Sequence, residues 1–367
     1  MRIGIIGGGA CGVMTALTLK KINQNIDVVI FEQNDRILKK VLKTGNGKCN
    51  IANNIITSDK YNDYSLIENN GDINVIKELM DLGLVLKETS LGRVYPYSEQ
   101  AKSVVNVLLR DLEKYDVKIC ANYEVKTISS DNNKYIINNE FIFDYLVVAT
   151  GSIAQEKTNG YDLLKNLGHH ITPLRPALVP IKVKEKVDHL QGLRVKCSAT
   201  LNNQVLDGEI LFKNDGLSGI LALDLSRIGN KSDVIFLDLM PEYTEEEIDS
   251  LLQSGDKEEI LDGIFAKMLT KEILKRGDNT SYIIKHFSFT ISGFYGFNDG
   301  QIVQGGVDLS DIDNFESVVH PNLFIGGEVL NVDGASGGYN LFFAWLSGIV
   351  IGRSIIKKIG DFKWNLF

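Results

Sequence analysis

Gly7, Gly9 and Gly12 form a G-x-G-x-x-G turn directly behind the apolar run Ile3–Ile6, and Glu32 closes the next apolar run, Val28–Phe31. An acid about twenty residues beyond the glycines is the spacing of a dinucleotide-binding β-α-β unit. Each residue has a physical part in that unit. Gly7 permits the tight turn out of the strand, Gly9 lets a diphosphate approach the backbone, and Gly12 with Ala16 lets the helix sit close on the sheet. The helix headed by Ala10 then presents unpaired N–H groups and a partial positive charge to the phosphates. Glu32, with Gln33 beside it, is placed to accept hydrogen bonds from both ribose hydroxyls, and its charge repels a 2′-phosphate. NADP is therefore disfavoured at this first site.

A chain of 367 residues is long for one compact unit, so two domains are expected. The formal net charge of −8 argues against broad electrostatic binding to nucleic acid or anionic lipid and favours small-molecule partners. Cys11, Cys49, Cys120 and Cys197 show neither a C-x-x-C pair nor zinc spacing. With the chain starting straight into its first strand, a cytoplasmic protein without a metal is expected. The late apolar segment Leu341–Ile351 is interrupted by Ser347 and Gly348, reads as too short to span a bilayer, and is expected to be a buried helix.

Downstream of the first unit lies a basic, glycine-containing loop from Lys39 to Asn50. Helical periodicity follows in Val75–Leu82 and Ala101–Tyr115, and strand-like runs in Val117–Cys120, Tyr135–Ile137 and Tyr145–Ala149. The last of these enters the small-residue turn Ala149-Thr150-Gly151. From Pro176 the character changes: Leu178–Val183, Gly192–Leu201, Gln204–Phe212 and Val234–Leu239 read as strands of an antiparallel barrel or sandwich. A capping box, Thr244 with Glu247, then starts an acidic helix, and a second helical stretch covers Ile260–Lys275. Near Gly305 the nucleotide-fold pattern returns, with the strand Leu323–Ile325, the turn Gly326-Gly327-Glu328 and Gly337-Gly338 opening a final helix. A second nucleotide-facing turn so late in the chain favours FAD over NAD as the resident group, because FAD is long enough to need several loops. After Gly12 no second G-x-G-x-x-G unit occurs, so NADH or NADPH is expected only as a transient co-substrate.

With Thr44–Asn50, Gly92–Pro96, Pro176–Pro180, Gly326–Leu330, Asp333-Gly334 and Gly337–Leu341 taken in order, the chain resembles the YhiN/BaiN-like flavoprotein family, which includes proteins named aminoacetone oxidases and bile-acid reductases. The resemblance implies an α/β fold, a discontinuous Rossmann-like FAD-binding domain (1–175 and 305–367). Its insertion, 176–304, would be a substrate domain covering the flavin, a β-barrel over 176–240 plus a helical part over 241–277. It also implies that Lys40, Thr44, Gly45, Asn46, Lys48, Cys49 and Asn50 approach the cofactor from the basic loop. Val125, Thr150 and Gly151 would do so from the middle of the domain. Gly327, Glu328, Asp333, Gly338, Tyr339 and Asn340 would do so from the C-terminal segment. The sequence departs from the family pattern at Lys48, Ala52 and Asn331, where Arg, Thr and Asp are usual, and in Phe212–Gly219, which lacks a Thr-His pair.

Flavin chemistry resides in the isoalloxazine ring, so the protein has to position the ring, exclude water and stabilise charge on reduction. The helix start at Gly338 can supply that charge stabilisation. Arg93 is the one candidate for a substrate-binding or catalytic side chain, toward an acidic or carbonyl-bearing molecule. Cys49 has no partner cysteine nearby, and His169 and His170 read as surface imidazoles. These features predict an FAD-dependent oxidoreductase passing a hydride through flavin N5, with an NAD(P)H-linked reductase as the leading form. An oxygen-using amine oxidase of the aminoacetone type, a non-catalytic flavin-binding sensor and, more weakly, a tRNA-modifying flavoprotein are the rivals.

Overall fold

The computed structural model describes residues 1–132 and 134–360. The chain divides into two compact units, Met1–Arg175 with the segment from Ile302 onward, and Pro176–Gln301. The return crossing falls ahead of the expected 304/305. Ile302 and Val303 are buried, and the Gln304 amide donates to Asp333 at 3.3 Å, so these residues belong to the nucleotide-type unit.

That unit is built on a seven-stranded sheet whose parallel core runs Lys118–Cys120, Asp27–Phe31, Arg2–Ile6, Tyr145–Val148 and Leu323–Ile325. Two short antiparallel strands, Glu316–Ser317 and Ile312–Asp313, complete its edge. This is the Rossmann order, with the first strand central and the chain stepping outward on either side. Strands buried on both faces need apolar side chains at every position. Ile3, Val28, Leu146 and Phe324 accordingly show almost no exposure. Register aligns Ile6 with Phe31 and Val148, and Val148 with Ile325, so the strands end in one row.

Two helices of this unit, Ala10–Ile22 and Tyr339–Ile359, pack closely against each other. Their contact is close because small residues meet. A Cβ at Gly348 would sit 2.5 Å from the Cys11 carbonyl oxygen and 2.7 Å from Met14 Cβ, and one at Gly352 would sit 2.7 Å from Thr18 Cβ. The final helix overturns the expectation that its apolar segment is too short. Ser347 does not interrupt it, because its hydroxyl donates to the Phe343 carbonyl at 2.6 Å within the same helix. The resulting 21-residue helix is long and apolar enough to cross a membrane by length and composition, yet 67% of its most apolar window is buried within the fold, with Trp345 fully enclosed. That burial is the signature of a core helix.

His169 also departs from the surface role read in the sequence. It is 3% exposed, with Nδ1 on the Leu164 carbonyl at 3.1 Å and Nε2 on the Ser317 hydroxyl at 2.8 Å, while burial lowers its pKa. His170 is the exposed member of the pair and lies against the Asp311 carboxylate.

The second unit is a closed six-stranded antiparallel barrel, which resolves the choice between barrel and sandwich. Its strands in order round the barrel are Ile181–Val183, Gly216–Ser218, Gln204–Lys213, Arg194–Leu201, Val234–Asp238 and Phe287–Phe294. Phe212, Phe287, Phe289 and Leu237 belong to its buried core. The expected division into β-rich 176–240 and helical 241–277 is corrected in three places. A helix, Gly219–Ile228, lies inside the β part, helices continue to Lys285, and a last strand returns to close the barrel. The expected strand from Leu178 begins at Ile181 instead, because Leu178 takes φ +49°, a left-handed turn conformation. The stretch Ile260–Lys275 is two helices, broken where Ala266 becomes extended, and the Thr244–Glu247 capping box forms as read.

Adding one carbon at a helix-contact glycine tests the packing. Gly348→Ala should lower stability by about 1–3 kcal/mol through overpacking. Gly263→Ala, with no atom within 4 Å of the added carbon, should gain up to about 1 kcal/mol of helix propensity. Urea denaturation of both variants checks this, and equal shifts would contradict the tight helix pair.

Candidate functional site

The common register of the parallel strands brings four loops to one end of the sheet. They begin at Gly7, Glu32, Ala149 and Gly326. In open α/β sheets this end, where the chain reverses its stepping direction, is where ligands bind.

The glycine turn is shaped as the sequence demands. Gly7 has φ +105°, and a Cβ at Gly12 would overlap the Gly7 carbonyl oxygen, so neither position tolerates a side chain. At Gly9 a Cβ would meet nothing within 4 Å. Gly9 caps the first helix without a side-chain hydrogen bond, and the first intrahelical bond runs from the Val13 N–H to the Gly9 carbonyl. The N–H groups ahead of it are left for an anion, beside space that no protein atom fills.

On one side of the turn Glu32 is 8% exposed and held rigidly. Its carboxylate accepts from the Gly8 N–H at 2.9 Å and from the Asn34 N–H and amide at 2.8 and 2.7 Å. Gln33 donates to the Lys157 carbonyl at 2.5 Å. Val125 is buried, and its carbonyl accepts from the Asn159 amide at 2.7 Å. Its N–H donates to no group among the described residues.

On the other side, Gly327 and Glu328 follow the Leu323–Ile325 strand, with Gly327 against Cys11 of the first helix. Lys40 lies 3.4 Å from Glu328 Oε2, donates to the Ser152 carbonyl at 3.1 Å and stands near Gly151. Lys43 pairs with Glu156 at 3.6 Å. Asn50 Oδ1, Thr150 Oγ1, the Tyr161 hydroxyl and Glu328 Oε1 are buried with no hydrogen-bond partner. Each such group costs about 1–3 kcal/mol when left unmet. Several of them beside an open helix start fit a dinucleotide carrying hydroxyls and phosphates.

The basic loop is a tight turn with left-handed Gly45, Asn46 and Cys49 and a Thr44 hydroxyl donating to the Val41 carbonyl at 2.7 Å. Cys49 is fully buried, which pushes its thiol up to about 11 and leaves it protonated and unreactive at neutral pH. Lys48 points to the surface, where Glu99 receives it at 2.9 Å, so it does not join the buried groups. Gly338 starts the final helix at φ +100°, and a Cβ there would overlap the Ala52 carbonyl and crowd Asn50 Oδ1. Asn340 turns back, its amide oxygen accepting from the Gly334 N–H at 2.7 Å and its nitrogen donating to the Gly334 carbonyl at 2.8 Å. The Tyr339 ring packs edge-on to Tyr61, and its carbonyl accepts from the Tyr61 hydroxyl at 2.9 Å. Asp333 is buried beside Gln304, and its N–H donates to Asn62 Oδ1 at 2.7 Å. These three residues therefore shape the turn from which Gly338 emerges.

Arg93 is half-buried, with Nε 3.6 Å from the position of a Cβ on Gly337. Its guanidinium makes no hydrogen bond or ion pair among the described residues. Asn53 lies in the same corner, 2% exposed, with its amide on the Gly337 and Leu91 carbonyls. Neither Asn53 nor Tyr161 was visible as a site residue in the sequence, since nothing local distinguishes a buried amide or phenol from core. Among the described residues no group of acids, cysteines and histidines could hold a metal ion.

The family model described as HI0933-like protein Rossmann domain matches residues 1–354. The Clostridium scindens protein named 3-dehydro-bile acid delta(4,6)-reductase is 30% identical, over 97% of this chain and 99% of its own length. The Haemophilus influenzae protein named ribosomal RNA dihydrouridine synthase is 28% identical, over 96% of this chain and 98% of its own. Among solved structures, the 3-ketosteroid-delta4-(5alpha)-dehydrogenase of Rhodococcus jostii RHA1 superposes with a TM-score of 0.52 at 14% identity, covering 96% of each chain. That likeness concerns the fold.

The contrast between two glycines of one motif provides a test. Gly9→Ala, which meets no atom and loses only the N-cap preference of Gly over Ala, should lower stability by less than about 1 kcal/mol and weaken dinucleotide binding at least tenfold, whereas Gly12→Ala should destabilise the apoprotein by about 1–3 kcal/mol through backbone overlap. Thermal melts with and without ADP distinguish them, and an unaltered ADP affinity in the Gly9 variant would contradict the diphosphate assignment.

Proposed function

This chain belongs to the HI0933-like family, and from that membership we propose that it is an FAD-dependent reductase, moving a hydride through flavin N5 from NADH or NADPH to a small organic substrate. The observation that carries the reading is the row of unmet groups along the carboxyl end of the sheet, from the Gly9 helix start to the buried oxygens of Thr150 and Glu328. An ADP moiety satisfies only the first half of that row, against Gly9–Gly12 and Glu32. A longer arm is needed for the second half. FAD, when bound, supplies reversible two-electron chemistry at N5.

The protein's part is positioning and electrostatics. Glu32 and Gln33 would hold the adenosine ribose, and the Val125 N–H would meet the adenine edge. Lys40, Gly151, Gly327 and Glu328 would fix the chain between diphosphate and ring. The Thr44–Asn50 turn and the Gly338 helix start would border the ring, where free N–H groups and the helix dipole favour negative charge.

The substrate class follows from what the relatives' names share. A 3-dehydro bile acid with delta(4,6) unsaturation and a uridine base each contain a carbon–carbon double bond conjugated to a carbonyl, and each name describes its reduction. Hydride addition to such a bond moves negative charge onto the carbonyl oxygen. An unpaired, half-buried guanidinium is suited to receive that charge, which gives Arg93 its role. These reductions also favour a reductase over an amine oxidase.

A second reading, in which the double bond belongs to a pyrimidine in RNA, is favoured by the Haemophilus influenzae relative. The net charge of −8 opposes it, since binding to a polyanion rests on clustered Lys and Arg.

Purified protein should be yellow, and anaerobic NADH or NADPH should bleach it. A 3-oxo steroid with a conjugated double bond should then restore the colour. Bleaching only by an amine, with peroxide formed when oxygen is then admitted to reoxidise the flavin, would transfer the assignment to an oxidase, and no bleaching by any donor would leave a flavin-binding sensor. Recolouring by ribosomal RNA and not by the steroid would select the second reading. Arg93→Gln should keep the flavin content and lower the rate of reoxidation by substrate about 10²-fold, the usual consequence of losing one oxyanion-stabilising donor. A stopped-flow trace identical to wild type would remove Arg93 from the reaction.

A further inference from the structure

The segment from Gly151 to Tyr161 is a strap laid across the carboxyl end of the sheet, fastened at successive points. Lys40 donates to the Ser152 carbonyl at 3.1 Å, Lys43 pairs with Glu156 at 3.6 Å, and Gln33 donates to the Lys157 carbonyl at 2.5 Å. The Asn159 amide donates to the Val125 carbonyl at 2.7 Å, and a Cβ at Gly160 would overlap the Thr150 side chain. The strap ends at Tyr161, 7% exposed, whose hydroxyl has no partner; it directly follows Gly160, which lies against Thr150, and at the other end of the strap a Cβ at Gly151 would sit 4.0 Å from Glu328 Oε2. Glu328 Oε1 and Thr150 Oγ1 are equally unmet.

Three unmet oxygens that include two hydroxyls and a carboxylate suit a polyhydroxyl chain. Each can accept from an alcohol, and the two hydroxyls can donate in return. The carboxylate opposes a phosphate at the same spot. Position in the sheet selects which part of the ligand is meant. The strand leading to Glu32 lies on one side of the first strand, and those leading to Thr150 and Glu328 lie on the other. With the adenosine ribose on Glu32 and the diphosphate on the helix start between them, the corner at Tyr161 falls to the sugar-alcohol arm.

The geometry points to Tyr161 as a cofactor-binding residue, its hydroxyl joining Thr150 and Glu328 in a corner that receives the ribityl hydroxyls of FAD. This rests on the FAD reading above. A structural role for the ring alone predicts no loss when the hydroxyl is removed.

Tyr161→Phe and Thr150→Val, each removing one hydroxyl at constant shape, test it on the full chain after the flavin is stripped. FAD affinity, read by quenching of flavin fluorescence, should fall about three- to tenfold in each, the worth of one hydrogen bond. ADP affinity should stay within about twofold of wild type, because ADP lacks the ribityl arm. The apoprotein of each variant should melt at or above the wild-type temperature, since a buried unmet hydroxyl is gone. FAD affinity unchanged in both variants, or ADP and FAD affinity falling together, would overturn the corner. Failure of wild-type apoprotein to bind FAD would overturn the FAD reading itself, a result distinguishable from either.

Discussion

The shared register of four parallel strands is the constraint on which the rest of the nucleotide-type unit depends. Because Ile6, Phe31, Val148 and Ile325 end in one row, residues separated by hundreds of positions emerge side by side. A one-residue slip in any of these strands would turn its side chains to the opposite face and displace its loop. The continuous apolar character of the strands does not by itself prevent such a slip. The loops do, through contacts that only one register allows, such as Gly7 against Ala149 and Gly326 against Cys11.

The helix pair carries the same constraint from the other direction. Cys11 and Thr15 meet Gly348, and Gly352 meets Thr18, so the N-terminal helix is held from its first turn onward by the last helix in the chain. The position of the helix start, and with it the direction of its free N–H groups, is therefore set by tertiary packing rather than by local sequence. A dinucleotide site needs this, because the helix contribution to anion binding falls off beyond the first turn.

Legibility in the sequence divided along physical lines. The glycine turn, Glu32 and the strand ends could be read because each rests on a local backbone requirement or a continuous apolar run. Thr244 and Glu247 could be read as a capping box for the same reason. His169 could not be placed, since its partners, the Leu164 carbonyl and the Ser317 hydroxyl, become neighbours only through folding. The helix Gly219–Ile228 was hidden among strands because it follows the strand Gly216–Ser218 with no intervening loop, and its N-cap Ser218 makes no side-chain capping hydrogen bond. Lys48 and Asn340 share a different lesson. Both lie in motif segments, yet the Lys48 ammonium goes to Glu99 and the Asn340 amide closes its own turn. A motif locates a segment near a site without saying which side chain faces it.

The electrostatics of the site follow from what is already paired. No Lys or Arg lies in the glycine turn itself, and the nearby ammonium groups of Lys40 and Lys43 are engaged by Glu328 and Glu156. The charge of a bound diphosphate therefore has to be met chiefly by backbone N–H groups and the helix dipole, which are fixed in place before a ligand arrives. Such a site selects by shape and hydrogen-bond direction more than by net charge. In the reading proposed above, the buried oxygens of Thr150, Tyr161 and Glu328, which have no partner in the protein, would discriminate between ligands that share a diphosphate but differ in the arm beyond it.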